Sequence, residues 1–329
     1  MFQFFLQRIW YRDNIFKCLF MPLSWVYLVC LILRKIAYQI GIFKIFKAKC
    51  PVIVIGNITV GGTGKTPITI WLANYFLSRG YKPIILSRGY GGKIGDCPIE
   101  VSRNSDVSIV GDESLLMASK LECPVIVHPS RAQSLLYIDD REFDLILCDD
   151  GLQHYQLGRD FEIVIVDGDR GFGNKCLLPA GPLREPISRL SEVDICLINN
   201  SNQKSIKDNS FNLVGKEVIN VHTNEVRLIE DFKGLEVHGV AGIGNPDRFF
   251  NFLEKKEVIV KRHRFEDHHN YDSLELEFDD ELDILMTEKD MVKCKDFNNE
   301  KIWYIPVEVK FTQNDMKWLS DIEELTKKA

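Results

Sequence analysis

The chain has 329 residues, of which 45% are apolar and 27% charged, and its formal net charge is −6. This is globular composition, long enough for one large or two moderate domains, and the overall acidity argues against a nucleic-acid partner. None of the nine cysteines forms a C-x-x-C pair and several sit in apolar runs, so they read as reduced, buried thiols of a cytosolic protein rather than disulfides or a zinc site.

The charge is uneven. Eight basic residues (Arg8, Arg12, Lys17, Arg34, Lys35, Lys44, Lys47, Lys49) against Asp13 give residues 1–50 a charge of +7, so the remainder carries −13. Cys18 to Leu33, "CLFMPLSWVYLVCLIL", is a run of 16 residues without a charge. It is shorter than the roughly 20 residues a spanning helix uses. No small-residue cleavage site follows, which disfavours a signal peptide. A buried core helix and a single span remain open. The preferred reading of residues 1–48 is a membrane-associating segment whose helix lies in, or dips into, a cytosolic membrane face. Trp10, Tyr11, Trp25 and Tyr27 suit the interface and the basic flanks suit anionic lipid.

"PVIVI" and "GNITVGGTGKTP" follow. An apolar strand, a glycine loop and the helical "ITIWLANYFL" make a phosphate-binding arrangement in which backbone N–H groups and a helix start face an anion. The nucleotide contacts expected are Thr59, Val60, Gly61, Gly62, Thr63, Gly64, Lys65 and Thr66. Lys65 reaches the β/γ-phosphates and the Thr66 hydroxyl ligates Mg²⁺. The loop is a variant, since Thr59 stands where the first glycine of G-x-x-x-x-G-K-[ST] is usual. Val60 stands where a dimerising ATPase class has a second lysine, which argues against that class.

Further apolar runs at 82–87, 123–128, 144–148, 162–166 and 194–198 lack polar alternation. They predict strands of a parallel sheet buried on both faces, whose carboxyl ends are where ligands bind. "LSRGYGG" brings Arg88 and Tyr90 to one such end. "HPSRAQ" and "GPLREP" offer Arg131 and Arg184 as phosphate clamps. "DLILCDDG" sets Asp149 and Asp150 beside the phosphate loop as Mg²⁺ supports, with Asp167 of "EIVIVDGD" as competitor, His154 near the same edge and Glu185 as a possible further ligand. Asp112, at the start of "DESLLMASKLE", reads on its own as a helix cap.

Residues 49–205 thus form an α/β kinase-like core. Residues 200–215 read as polar and strand-poor, a domain boundary, and 206–329 as a smaller α/β domain. In it "LEVHGVAGIGNPDRFFNFLEKKEVIVKRH" is strand, glycine turn, helix and strand. "DILMT" and "IWYIPVEV" add two strands, and a helix near 313–328 closes the chain. In "TEKD", Lys289 is one place late for a guanine-reading motif, which favours ATP over GTP.

"GNITVGGTGKTP", "LSRGYGG", "VGDE", "DDGLQH", "GPLRE", "FEDHHNY" and "TEKDMVK" occur in the order found in the tetraacyldisaccharide 4′-kinases of lipid A biosynthesis, and between residue 50 and 293 the chain closely resembles that family. The resemblance implies a P-loop core with a smaller C-terminal domain, ATP and Mg²⁺. It implies transfer of the γ-phosphate to the 4′-hydroxyl of a tetraacylated glucosamine disaccharide 1-phosphate at the cytosolic face of the inner membrane. It implies Asp112 as base, supported by His268 or His269. Catalysis then falls to Asp112, His268, Lys65, Asp149 and Asp150. Metal binding falls to Thr66, Asp149, Asp150 and Glu185, and acceptor contacts to Arg88, Tyr90, Arg131, His154, Arg184 and Glu185. Ser114 stands where many members have proline. A P-loop GTPase or metallochaperone-like switch is the alternative, but it predicts a guanine motif and His/Cys clusters that are missing. No feature points to a protein partner.

Overall fold

The computed structural model describes residues 9–11, 16–200, 209–312 and 316–328. Arg8, Arg12 and Asp13 of the charge count, the first residues of the closing 313–328 stretch, and the expected boundary at 205/206 lie outside the described residues.

All six apolar runs form strands. In chain order the first lobe has β1 (Val52–Gly56), β2 (Pro83–Ser87), a short β3 (Ile99–Glu100), β4 (Val125–Val127), β5 (Leu145–Asp149), β6 (Phe161–Asp167) and β7 (Ile195–Asn199). Their side chains alternate between two cores. Ile53 and Ile55 of β1 pack with Ile68, Leu72 and Phe76 on one face, and Val52 and Val54 with Ile84, Leu86 and Ile146 on the other. Burial on both faces is why these strands show no polar alternation. The helices of this part are α1 (Lys17–Gln39), α2 (Lys65–Leu77), α3 (Val107–Val110), α4 (Asp112–Lys120) and α5 (Arg131–Tyr137).

Past residue 208 the order is β8 (Ser210–Val214), β9 (Glu217–Asn220), β10 (Val226–Leu228), β11 (Glu236–Ala241), α6 (Pro246–Lys255), β12 (Ile259–Arg264), β13 (Ile284–Thr287), α7 (Glu288–Cys294), β14 (Ile302–Ile305), β15 (Glu308–Phe311) and α8 (Lys317–Lys328). The first sheet runs β15-β8-β7-β6-β1-β5-β2-β4-β3, parallel except at its edges β15 and β3. The second runs β10-β9-β14-β13-β11-β12.

Two expectations are corrected. The stretch 200–215 holds β8, a strand disguised by Ser210 and Asn212. "IWYIPVEV" is two strands, because Pro306 cannot donate to a ladder and divides β14, in the second sheet, from β15, in the first. The sheets therefore do not part at 206. β8 and β15 belong to the first sheet, and α8 packs Trp318, Leu319 and Ile322 into its core. The second lobe is built on β9 to β14.

Helix α1 touches the body along a narrow strip. The Ser24 hydroxyl donates to the Leu177 carbonyl (2.9 Å) and Tyr27 to the Arg184 carbonyl (2.9 Å), while Lys35 pairs with Glu192 (2.6 Å). Leu19, Leu23, Trp25, Val26, Val29, Ile32, Leu33 and Ile36 are exposed. The helix is long and apolar enough to cross a membrane by length and composition. Of the four aromatic residues assigned to the interface, Trp25 is exposed. Trp10 is buried, its indole N–H donating to the Pro179 carbonyl.

Candidate active site

The phosphate loop connects β1 to α2. Gly64 precedes the helix at φ +101° and Gly61 lies at φ +104°, conformations that a side chain would strain. The loop is held from outside. Val60 N–H donates to the Pro182 carbonyl (2.8 Å), and the Asn199 amide donates to the Thr63 carbonyl (2.9 Å). Arg170 donates to the carbonyls of Gly62 (2.7 Å) and Gly244 (3.0 Å), tying the loop to the turn after β11 in the second lobe. Nothing in the sequence singled out Arg170 or Asn199.

At the end of β5, Asp149 and Asp150 face different partners. Asp149 is buried and accepts from the Thr69 hydroxyl (3.1 Å), while its Oδ2 has no partner among the described residues. Burial, with Glu113 and Asp150 adding to it and Lys65 opposing, pushes its carboxyl up to about 7. Asp150, at φ +47°, lies 3.5 Å from the Lys65 ammonium and accepts from Arg184 (3.1 Å). Burial would raise its carboxyl, but Lys65 and Arg184 outweigh burial and hold it below the usual range. The orphaned Asp149 oxygen and, at the start of α2, the Thr66 hydroxyl are hard oxygen donors of the kind Mg²⁺ takes.

Three of the candidate site residues are placed otherwise. Asp167 is occupied by its own turn, accepting from the N–H groups of Asp169 and Arg170 and from Arg170 Nε (2.9 Å). Arg131 is not a surface clamp: it is 1% exposed, and donates to the His128 and Asp149 carbonyls (2.9 Å each) and to Cys148 Sγ (3.3 Å). It braces the end of β5 from beneath. Glu185 is buried and accepts from Gln153 (3.0 Å) and Tyr155 (2.8 Å), with Arg189 at 3.4 Å. Gln153 also accepts from Arg184 (3.3 Å), so Glu185 meets Asp150 through two intermediaries. His154 stands near this edge with its imidazole pushed down to about 3 by burial and by the charges of Arg131 and Arg88.

The second cluster forms across the lobes. Gly111, at φ +82°, lets α4 begin against the backbone of Gly89 and Tyr90, and this presents Asp112 at the helix start. His268, at φ +61° in the loop after β12, donates from Nδ1 to both Asp112 oxygens (2.9 and 3.0 Å). A non-glycine residue held there is the kind of strain that collects at functional sites. His269 turns away to Glu275 (2.9 Å), so the two adjacent histidines separate cleanly. The Tyr90 ring lies 4.6 Å from the His268 ring and is exposed, as is Arg88. From α7, Lys289 reaches Glu113 (3.0 Å), Asp267 (3.2 Å) and His268 Nε2 (3.4 Å), and Lys293 lies 3.7 Å from Asp112. Burial would raise the Asp112 carboxyl. Lys289, the His268 hydrogen bond and Lys293 overcome it and bring the carboxyl down to about 2. The two lysines are four apart in "TEKDMVK", one helix face, but the sequence did not say what that face meets.

Comparisons with known proteins give the family and the fold. The family model described as tetraacyldisaccharide-1-P 4′-kinase, LpxK, matches residues 16–324. Tetraacyldisaccharide 4′-kinase of Nitrosococcus oceani is 43% identical over 92% of this chain and 89% of its own. That of Ruthia magnifica is 45% identical over 91% and 95%. A crystal structure of LpxK from Aquifex aeolicus in complex with ATP superposes with a TM-score of 0.76 at 28% identity, covering 95% of this chain and all of that one. The chain belongs to the tetraacyldisaccharide 4′-kinase family.

Proposed function

We propose that this chain transfers the γ-phosphate of ATP to the 4′-hydroxyl of a tetraacylated glucosamine disaccharide 1-phosphate, a step of lipid A biosynthesis. The observation that carries the reading is the pairing, in one family member, of a phosphate loop with a buried carboxylate–histidine pair supplied from two lobes. The solved relative with ATP supports ATP as donor. So does the engagement of Lys289, the residue nearest a guanine-reading lysine, with Glu113 and Asp267.

The residues divide the work. Loop N–H groups and the Lys65 ammonium bind and orient the phosphates. Thr66 and Asp149, with Asp150 beside them, would hold Mg²⁺, which screens charge on the transferring group when bound. Lys65 and Arg184 keep Asp150 ionised. Glu185 acts behind them by fixing Gln153 and Arg184. Asp112 accepts the proton of the acceptor hydroxyl as that oxygen bonds to the γ-phosphorus and the bond to the β–γ bridging oxygen breaks, releasing ADP, and His268 holds the carboxylate in place. Arg88, Tyr90 and His154 border the acceptor side. The exposed apolar face of α1 rests on the cytosolic membrane surface and keeps the active site level with a lipid acceptor.

The test is direct. Purified full-length protein is incubated with γ-labelled ATP, Mg²⁺ and the disaccharide 1-phosphate in mixed micelles, beside Lys65→Ala. Labelled lipid from the wild type and its loss in the variant are expected. Release of labelled phosphate with no labelled lipid would overturn the reading in favour of a nucleotide-driven switch. Washing membranes that carry the protein addresses α1: release by high salt would exclude apolar anchoring.

A further inference from the structure

Residues 40–51 connect α1 to β1, and this connection has two faces. Gly41, at φ +80°, ends the helix, and the Phe43 N–H donates back to the Ala37 carbonyl (3.2 Å). From Phe46 the backbone is tied to the loop after β5: the Phe46 N–H donates to the Gln156 carbonyl and the Gly158 N–H to the Phe46 carbonyl (2.8 Å each). An extended backbone alternates its side chains. Phe46, Ala48 and Cys50 pack against the core beneath, while Ile45, Lys47 and Lys49 are exposed. The turn leaves Ile40, Ile42 and Phe43 at 66%, 68% and 46% exposure, so its tip is apolar. Of the lysines, Lys49 pairs with Asp139 (2.9 Å). Lys44 rests on the Phe46 ring (4.9 Å), and neither it nor Lys47 has a carboxylate partner among the described residues.

We propose that this connection is a second membrane contact, separate from α1: Ile40, Ile42 and Phe43 enter the boundary between headgroups and acyl chains, and Lys44 and Lys47 meet the phosphates of anionic lipid. Two observations choose a bilayer as the occupant. Ile32, Ile36 and Ile40 follow one another at helical spacing, so the exposed apolar face of α1 runs into the turn without a polar break. The apolar tip is followed at once by unpaired lysines, the sequence of layers that an anionic membrane surface presents in reverse. The contact also has a mechanical consequence. A single helical stripe leaves the body free to roll about the helix axis. A second contact beyond the helix end, anchored through Phe46 and continuous with β1, removes that freedom and sets the height of the phosphate loop over the bilayer. Like the placement of α1, this rests on the reading of the acceptor as a membrane lipid.

The test uses full-length protein and vesicles of phosphatidylcholine, alone or mixed with phosphatidylglycerol. Binding is read by flotation over a lipid titration, with a melting curve beside each variant. Lys44→Gln with Lys47→Gln should weaken binding to the anionic vesicles by roughly 25-fold, about fivefold for each lysine, and leave binding to phosphatidylcholine nearly unchanged. Ile42→Ser with Phe43→Ser should weaken binding to both kinds of vesicle by roughly tenfold. Val29→Ser with Leu33→Ser, on the exposed face of α1, is the reference for the helix. All of these side chains except Lys44 and Phe43 lack a described partner, so melting temperatures should stay near that of the wild type. Amide exchange of the wild type needs no variant: anionic vesicles should slow it across residues 40–49.

If both double variants of the connection bind like wild type while the α1 variant is released, the membrane contact is confined to α1 and the proposal is overturned. Unchanged exchange over residues 40–49 in vesicle-bound protein overturns it as well. Loss in the connection variants with an unaffected α1 variant upholds the second contact and removes the first. A wild type that floats with neither kind of vesicle removes both. A second copy of the chain is the other candidate for the apolar tip: self-association abolished by Ile42→Ser with Phe43→Ser, with vesicle binding intact, would assign the tip to a protein contact and overturn the proposal.

Discussion

Asp112 and Asp149 are buried to nearly the same degree, 3% and 1% exposed, yet their carboxyls are driven in opposite directions, to about 2 and about 7. Burial penalises both. The difference lies in where the compensating groups come from. Asp112 is met by Lys289, His268 and Lys293, all from the second lobe. Asp149 has Lys65 against it but also Glu113 and Asp150, and one oxygen without a partner among the described residues. A carboxylate whose countercharges are built into the protein is ready for proton transfer. One left short of positive charge suits an external cation. Burial therefore does not assign a role to either aspartate; the partners do.

The largest expected effect breaks the comparison at Asp112. Asp112→Asn should lower kcat by roughly 10²–10⁴, the range for a general base, with ATP affinity little changed. Gly111, not Asp112, caps α4, so a carboxylate that only favours the first turn would cost about 0.3–1 kcal/mol of stability and leave kcat intact. The same variant tests the carboxyl's state through stability. Its folded pKa, about 2, is below its ordinary value of 3.8, so it contributes stability above about pH 4 that is lost as pH falls toward 2. That contribution is about 2 kcal/mol. Wild type should therefore lose more stability than Asp112→Asn between pH 5 and pH 2. Parallel acid-denaturation curves would refute the depressed carboxyl.

A smaller loss is expected at Asp149. Asp149→Asn should cost roughly 10²–10³ in rate, the scale of one lost electrostatic contact, partly recovered at raised Mg²⁺. The sharper measurement is thermal. Added Mg²⁺ should raise the melting temperature of wild type by mass action and leave Asp149→Asn nearly unmoved. Equal shifts in both proteins would place the cation elsewhere, and the contrast between the two aspartates would lose its meaning.

The comparison also marks what could be read in the sequence. The phosphate half was legible because its residues are consecutive: Gly64, Lys65 and Thr66 at a helix start, Asp149 and Asp150 at the end of an apolar run. The large sheet was legible for a similar reason, since burial on both faces writes itself as unbroken Val, Ile and Leu. β8, β9 and β10 were not, being short and partly polar, and no local signal says that β14 and β15, parted by Pro306, belong to different sheets. Arg131 shows the limit for single residues: a guanidinium under a strand and one in a phosphate site look alike until burial is known. Glu113, Lys289 and Lys293 are one cluster only after two lobes meet. In the sequence, Glu113 and Lys289 stand 176 residues apart. Asp112 was reached through family resemblance, because as a local signal it remained a helix cap.

The smallest effect sharpens the cross-lobe side of the comparison by a single residue. His268 and His269 are neighbours of the same type, and only backbone conformation distinguishes their directions: His268, at φ +61°, is turned onto Asp112, and His269 onto the exposed Glu275. The His269 ring also lies 4.7 Å from that of Phe265 and 5.0 Å from that of Tyr271, so its place is in the packing of the loop. His269→Ala should leave kcat within about twofold and cost about 0.5–1 kcal/mol, the usual scale of an aromatic pair. His268→Ala should lower kcat, and combined with Asp112→Asn it should add little, because residues acting as a unit are not additive. Rates and melting curves on the two single variants and the double decide between the histidines. If His269→Ala proved the slower enzyme, the loop would have to turn over in the working state, and the contact between His268 and Asp112 would belong to a resting arrangement.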